Sequence, residues 1–256
     1  SPAELAEGCD MVFLCVGNNQ DVEEIVQGKN GVLEGLKAGG IIVDHTTTSS
    51  ILARTMSVSS SEKGISFIDA PVSGGVNGAK AGSLTFMVGG NETTYNLILP
   101  IFELMGSKTI YCGKEGSGQA VKICNNLILG ITMIGVGEAI NLAKELNLDL
   151  KKLYEVTSTS SASCWAINNY FPVSGIGPVA PADNDFAAGF SSNLMKKDLS
   201  LAINATKSNE NNLYYYKNYY LVTLRNINLL SSQNNTNGGV NVEIHIPDFF
   251  RLKFNY

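Results

Sequence analysis

Long hydrophobic runs are missing: the longest uncharged apolar stretch, residues 127–137, falls short of the roughly 18–20 residues needed to cross a bilayer. No membrane-spanning segment is therefore expected. Positive charge is sparse too, with 18 Lys plus Arg against 23 Asp plus Glu and a formal net charge of −5. That balance gives no electrostatic reason for nucleic acid or an anionic membrane surface to be a partner, which leaves a small molecule. No C-x-x-C pair occurs among the five cysteines, an odd set that suits a reducing compartment, with buried thiols serving as small hydrophobes. Residues 1–8 hold two acids, no base and no apolar core, so they do not read as a targeting peptide but as the middle of a fold. No internal repeat is visible. What is present is a 44% hydrophobic content over 256 residues, enough for a real core in one large domain or two ordinary ones.

Residues 11–16 are continuously apolar and lead into an acidic helical stretch at 21–27. The pattern repeats as a strand at 40–44, a helix at 50–63 and a strand at 66–69 that ends at a proline. A strand at 84–88, a helix at 93–105 and a short strand at 109–112 follow. Continuous rather than alternating apolar strands, separated by helices, predict a parallel sheet covered on both faces, a doubly wound α/β fold. After residues 113–118 the character changes to a helix over 119–146 that is apolar on nearly every face, and such a helix is expected to be buried. Gly130, Gly135 and Gly137 weaken it intrinsically but admit close neighbours. Helices at 151–159 and 191–207, with a Pro/Gly-rich loop at 171–181 before the second, make the rest all-helical. From residue 208 asparagine and tyrosine crowd together without helical periodicity, which predicts a disordered tail over 208–256.

Three stretches carry candidate chemistry. Residues 69–75 (DAPVSGG) leave a strand at the edge where open α/β sheets hold ligands. There Ser73 and the glycines offer a hydroxyl and unobstructed N–H groups that can cradle a carboxylate, although a flexible turn has the same composition. Residues 116–126 (GSGQAVKICNN) open the long helix and set Lys122 and Asn126 four apart on one face. Taken alone, Lys122 reads as a lysine snorkelling from a helix end. Residues 193–201 (NLMKKDLSL) place Lys197 on an amphipathic helix, where a solvated charged face is the plain reading.

Together, residues 69–79 (DAPVSGGVNGA), 82–90 (GSLTFMVGG), 116–126 (GSGQAVKICNN) and 193–202 (NLMKKDLSLA) resemble, in order, the signature blocks of the β-hydroxyacid dehydrogenase family. Residues 163–165 (SCW), 169–175 (NYFPVSG) and 181–186 (PADNDF) resemble its 3-hydroxyisobutyrate dehydrogenase branch. The resemblance covers roughly residues 1–207. It replaces the plain readings of Lys122, Ser73 and Asn126.

The resemblance implies a partial doubly wound, Rossmann-like sheet over 1–115 as the remainder of a dinucleotide-binding domain. A helical catalytic and dimerisation domain would follow over 116–207. It implies NAD as cofactor and no metal. Lys122 becomes the acid/base, while Ser73, Gly74 and Asn126 hold the substrate carboxylate and hydroxyl. Val16, Gly17, Asp21, Thr47 and Lys197 match cofactor-contacting positions, although Asp21 stands where the branch often has an amide and Val16-Gly17 where Leu-Pro is commoner. The implied reaction is oxidation of 3-hydroxyisobutyrate, a small β-hydroxy acid, to methylmalonate semialdehyde in valine catabolism. A homo-oligomer, in the mitochondrial matrix of a eukaryote, is implied with it. The family's opening strand, G-x-G-x-x-G turn and helix, which bind the pyrophosphate, find no counterpart in this sequence. Nor does the residue that selects NAD or NADP. Nothing after 207 resembles the family's later helices, so the chain is expected to be incomplete at both ends and to bind cofactor poorly as it stands. Reduction of tartronate or succinate semialdehyde, a non-catalytic relative that keeps the fold, and an inactive fragment remain open. Trp165 and residues 169–175 speak against the first, and Lys122 against the second.

Overall fold

The computed structural model describes residues 1–187 and 189–207; the expected disordered tail lies outside the described residues. After a short helix α1 (Pro2–Ala6), the three continuous apolar runs form β1 (Met11–Leu14), β2 (Ile41–Asp44) and β3 (Ser66–Asp69). They are parallel and in register, with Leu14 opposite Asp44 and Asp44 opposite Asp69. Between them lie α2 (Asn19–Gln27), α3 (Val32–Gly35) and α4 (Ser50–Ser61). The Asn18 side chain caps α2 by accepting from Gln20 and Asp21, and Ser49 caps α4 by accepting from Leu52. One sheet face buries Val12, Leu14 and Ile42 against Val22, Val26 and Met56. The other buries Val43, Ile68 and Val88 beneath Ile98 and Phe102. The two-sided cover inferred from unbroken apolar strands is therefore present.

The strand directions differ from expectation. β3 is followed, after Ala70 and Pro71, by β4 (Val72–Ser73) and α5 (Gly75–Lys80), and β5 (Leu84–Gly89) then returns antiparallel to both. α6 (Glu92–Met105) leads to β6 (Gly106–Gly113), which lies parallel to β5. The sheet is mixed rather than all-parallel. A parallel return needs a crossover of about a dozen residues or more; the link through the six-residue α5 is shorter than that, so the chain comes back along its own edge.

The long helix, α7, spans Ser117–Glu145 and packs on β5 and on α10 (Ser192–Lys207). Between them lie α8 (Leu150–Thr157), the six-residue α9 (Trp165–Tyr170), which periodicity did not reveal, and a 3₁₀ turn at Pro181–Asp183. α7 is not buried all round: Ile128 is 64% exposed and Leu142 60%, because its partners among the described residues cover one side only. By length and composition it could cross a membrane, yet its polar residues Gln119, Lys122 and Asn126 are buried in the fold. The five cysteines are free, as expected, but they are not the buried thiols anticipated: none is buried, and Cys15 and Cys124 are exposed.

Candidate functional site

The first N–H groups of any α-helix lack partners within it, and the N-cap of α7, Gly116 at φ 82°, supplies no side chain. Asp69, at the end of β3, takes that role from 47 residues away: its carboxylate accepts the N–H of Gly116 at 2.7 Å and of Gln119 at 2.9 Å. Negative charge at a helix N-terminus is favourable. Burial nonetheless pushes the Asp69 carboxyl up to about 6, against the downward pull of those N–H groups. The approach is so close that a Cβ on Gly118 would lie 2.3 Å from the Met87 carbonyl oxygen.

Gln119 ties a second element to the same turn. Wholly buried, it accepts the Thr48 N–H through Oε1 at 2.9 Å and donates from Nε2 to the Thr46 carbonyl at 2.7 Å. The β2–α4 loop thus hangs from the helix that carries Lys122. At the head of this loop Asp44 accepts the Thr46 N–H through Oδ1 at 2.9 Å, while Oδ2 is buried without a partner among the described residues. Burial first, and then the neighbouring Asp69, raise the Asp44 carboxyl to about 6 despite the Thr46 hydrogen bonds.

One turn along α7, Lys122 is 8% exposed and Asn126 1%. Among the described residues, no group accepts a hydrogen bond from the Lys122 Nζ. Burial pulls its pKa below the usual lysine value, with Asp198 of α10 opposing this and Lys197 reinforcing it. Asn126 is held at both ends of its amide: Nδ2 donates to Asp198 Oδ2, and Oδ1 accepts from Asn125 at 2.9 Å. Asp198 is itself pushed up by burial and drawn back by Lys197, Asn126 and Lys122.

Lys197 carries the arrangement to the carboxyl ends of β1 and β2. Its Nζ donates to the Thr47 carbonyl at 2.7 Å and the Gly17 carbonyl at 3.1 Å, and sits 3.4 Å from Asp198 Oδ1. The Val16 N–H donates to Thr46 Oγ1 at 2.9 Å. Asp21 accepts from the Gly17 N–H at 3.1 Å and Asn18 Nδ2 at 3.0 Å, so its Oδ2 shapes the loop after β1. Open α/β sheets hold ligands outside these strand ends. The lysine cation, the exposed loop backbone and the buried Thr48 hydroxyl, unpartnered among the described residues, suit the polar nicotinamide and ribose end of a dinucleotide.

A single run of contacts therefore joins Gly17, Thr47, Lys197, Asp198 and Asn126. Ser73 and Gly74 stand outside it, at the end of β4 and the start of α5. Gly74 takes φ 132°, which glycine alone adopts without strain. Ser73 pairs with Thr85 on β5, the strand α7 packs against, and no hydrogen bond engages its hydroxyl among the described residues. Sequence reasoning passed over Asp69, Gln119 and Asp198 as individuals. A signal existed: positions 119, 122 and 126 form a polar stripe at helical spacing on an apolar helix. Asp44 and Asp69 likewise each close an apolar strand before a turn.

Comparison with known proteins finds relatives along most of the chain. Residues 1–113 match the family described as the NAD binding domain of 6-phosphogluconate dehydrogenase. Residues 116–216 match the one described as NAD-binding of NADP-dependent 3-hydroxyisobutyrate dehydrogenase. The chain is 40% identical over 208 residues to the mouse mitochondrial 3-hydroxyisobutyrate dehydrogenase, covering 81% of this chain and 62% of that protein. It is 40% identical to the Pseudomonas aeruginosa 3-hydroxyisobutyrate dehydrogenase, over 79% of this chain and 68% of the relative. The Mycobacterium tuberculosis 3-hydroxyisobutyrate dehydrogenase solved with L-serine superposes with a TM-score of 0.81 at 34% identity, covering 91% of this chain and 77% of that one. The chain spans 62% of the length of the mouse relative.

Proposed function

Because the chain belongs to the 3-hydroxyisobutyrate dehydrogenase family, we propose that the protein carrying it oxidises 3-hydroxyisobutyrate to methylmalonate semialdehyde with NAD. The observation that carries this reading is Lys122, a buried lysine whose Nζ has no acceptor among the described residues, one helical turn from a buried, oriented asparagine. Removing a hydroxyl proton calls for a neutral amine, and burial favours that form of Lys122. In the reverse direction the ammonium returns the proton to the forming alkoxide oxygen. Bound NAD would supply the hydride acceptor for the carbon that bears the hydroxyl. Asn126 has a second amide hydrogen left for the substrate oxygen, since Asp198 engages only one. Ser73 and the N–H groups around Gly74 hold the substrate carboxylate. Val16, Gly17, Thr47 and Lys197 line the nicotinamide side, and Asp21 braces the Gly17 turn.

On this reading the strands and helices of residues 1–115 carry the cofactor and those of 116–207 the acid/base. We further propose a homo-oligomeric assembly and, in a eukaryotic cell, the mitochondrial location of the relatives named so. The test is NAD-dependent turnover of 3-hydroxyisobutyrate, L-serine and the hydroxy acids corresponding to tartronate and succinate semialdehydes by the protein that carries this chain. Highest kcat/KM for 3-hydroxyisobutyrate supports the assignment. A higher value for another of these acids replaces the substrate, and no turnover of any sinks the dehydrogenase reading.

A further inference from the structure

Asp198 has no part in the chemistry just described, yet it is 2% exposed and sits where α10 crosses the polar stripe of α7. A carboxylate is expensive to bury and is kept only where its oxygens have work. One oxygen accepts from Asn126 Nδ2; the other is buried without an aligned hydrogen-bond donor among the described residues, with the Lys197 ammonium 3.4 Å away. We propose that Asp198 is a positioning residue that fixes which way the Asn126 amide faces and supplies the counter-charge of Lys122.

The argument for orientation is chemical. An asparagine amide can flip with little change of shape, exchanging donor for acceptor, but an ionised carboxylate can only accept. Asp198 therefore forces the NH₂ end of Asn126 towards α10, while Asn125 donates to the other end. The remaining amide hydrogen then has one direction. The argument for counter-charge is electrostatic. Asp198 is hydrogen-bonded to Asn126, one helical turn from Lys122 on the same face of α7, with Lys197 beside it; from there Asp198 favours the protonated lysine and Lys197 opposes it. Asp198 thus offsets the penalty of burial, so that the amine can hold a proton as well as release one. Lys197, tied to the Gly17 and Thr47 carbonyls, is kept close enough to Asp198 to keep that carboxylate ionised.

The inference rests on the dehydrogenase reading for its purpose but is tested without turnover. Acetylation of Lys122 by acetic anhydride, followed across pH by peptide mass spectrometry, reads the protonation of that one amine. Asp198→Asn should move the midpoint for Lys122 down, and Asp198→Glu, which keeps the charge while disturbing the packing, should leave it nearer wild type. An unmoved midpoint in Asp198→Asn, or an equal fall in both variants, would overturn the proposal. Should Asp198→Asn fail to fold, the coupling is read from the other side, because it is reciprocal. In Lys122→Met the Asp198 carboxyl, followed by carbon NMR, should titrate at higher pH than in wild type, and an unchanged titration overturns the proposal as surely. Coupling between the pair in a protein that turns over no hydroxy acid would refute the dehydrogenase reading and uphold this one.

Discussion

The Asp69 carboxylate accepts the backbone N–H of Gln119 at 2.9 Å, and the Gln119 side chain reaches on to Thr46 and Thr48. Three elements separated in sequence, the end of β3, the loop after β2 and the start of α7, are thereby locked around one turn of helix. Replacing Gln119 by alanine leaves a buried N–H and a buried C=O unpaired, each worth about 1–3 kcal/mol. Urea unfolding of Gln119→Ala should show a loss of at least about 1 kcal/mol; wild-type stability would mean that the side chain is not holding the loop.

Glycines along α7 should respond to alanine in opposite ways. At Gly118 a new Cβ meets backbone oxygens of Met87 and Asp69 at 2.3 and 2.7 Å, which cannot move aside cheaply. At Gly135 nothing lies within 4 Å, so alanine gains only helix propensity. Gly118→Ala should therefore lose about 1–3 kcal/mol or more through overpacking, while Gly135→Ala should gain about 0.5–1 kcal/mol. Paired thermal melts decide it, and a stabilised Gly118→Ala would contradict the close helix–sheet contact.

For Lys122 the expected signature is catalytic. Lys122→Ala should lower kcat by about 10²- to 10⁴-fold, the usual contribution of a general acid or base. Lys122→Arg should not restore it, because a guanidinium does not give up its proton in this range. Near-normal turnover in either variant would remove Lys122 from the chemistry.

Much of this was legible from residue pattern. Unbroken apolar strands such as residues 41–43 announced a sheet covered on both faces, and the GSGQAVKICNN block singled out Lys122 and Asn126. What pattern could not show was direction and distance. Nothing in the composition of residues 70–84 distinguishes a strand that continues the parallel set from one that doubles back; the shortness of α5 decides it. Asp69 was visible as part of a motif but not as the cap of a helix 47 residues away, since capping rules are read locally. The outer face of α7 was misjudged for a related reason: apolar composition states what a surface could bury, while only packing shows that Ile128 and Leu142 stay exposed.

Acidity supplies a further test. Asp44 and Asp69 have folded pKa values raised to about 6, against about 3.9 in an unfolded chain. The native state then holds protons that the unfolded state has already released, so their contribution to stability is full below about pH 4 and is lost as pH rises through about 6. Asp44→Asn keeps the acceptor used by Thr46 and removes one of these titrations. Its melting temperature should accordingly fall less than that of wild type between about pH 4 and pH 7; parallel curves would show that Asp44 does not titrate in this window.

Because α7 is held at its first turn and runs for 29 residues, a pivot at that turn would move its two ends very unequally. At a rise of about 1.5 Å per residue, Glu145 lies roughly 39 Å from the Gln119 anchor and Lys122 only about 4.5 Å. A tilt of about 5° would swing the far end by more than about 3 Å while the lysine travels less than about half an ångström. In such a pivot the Lys122 amine would stay near its place while the distal half of the helix moved.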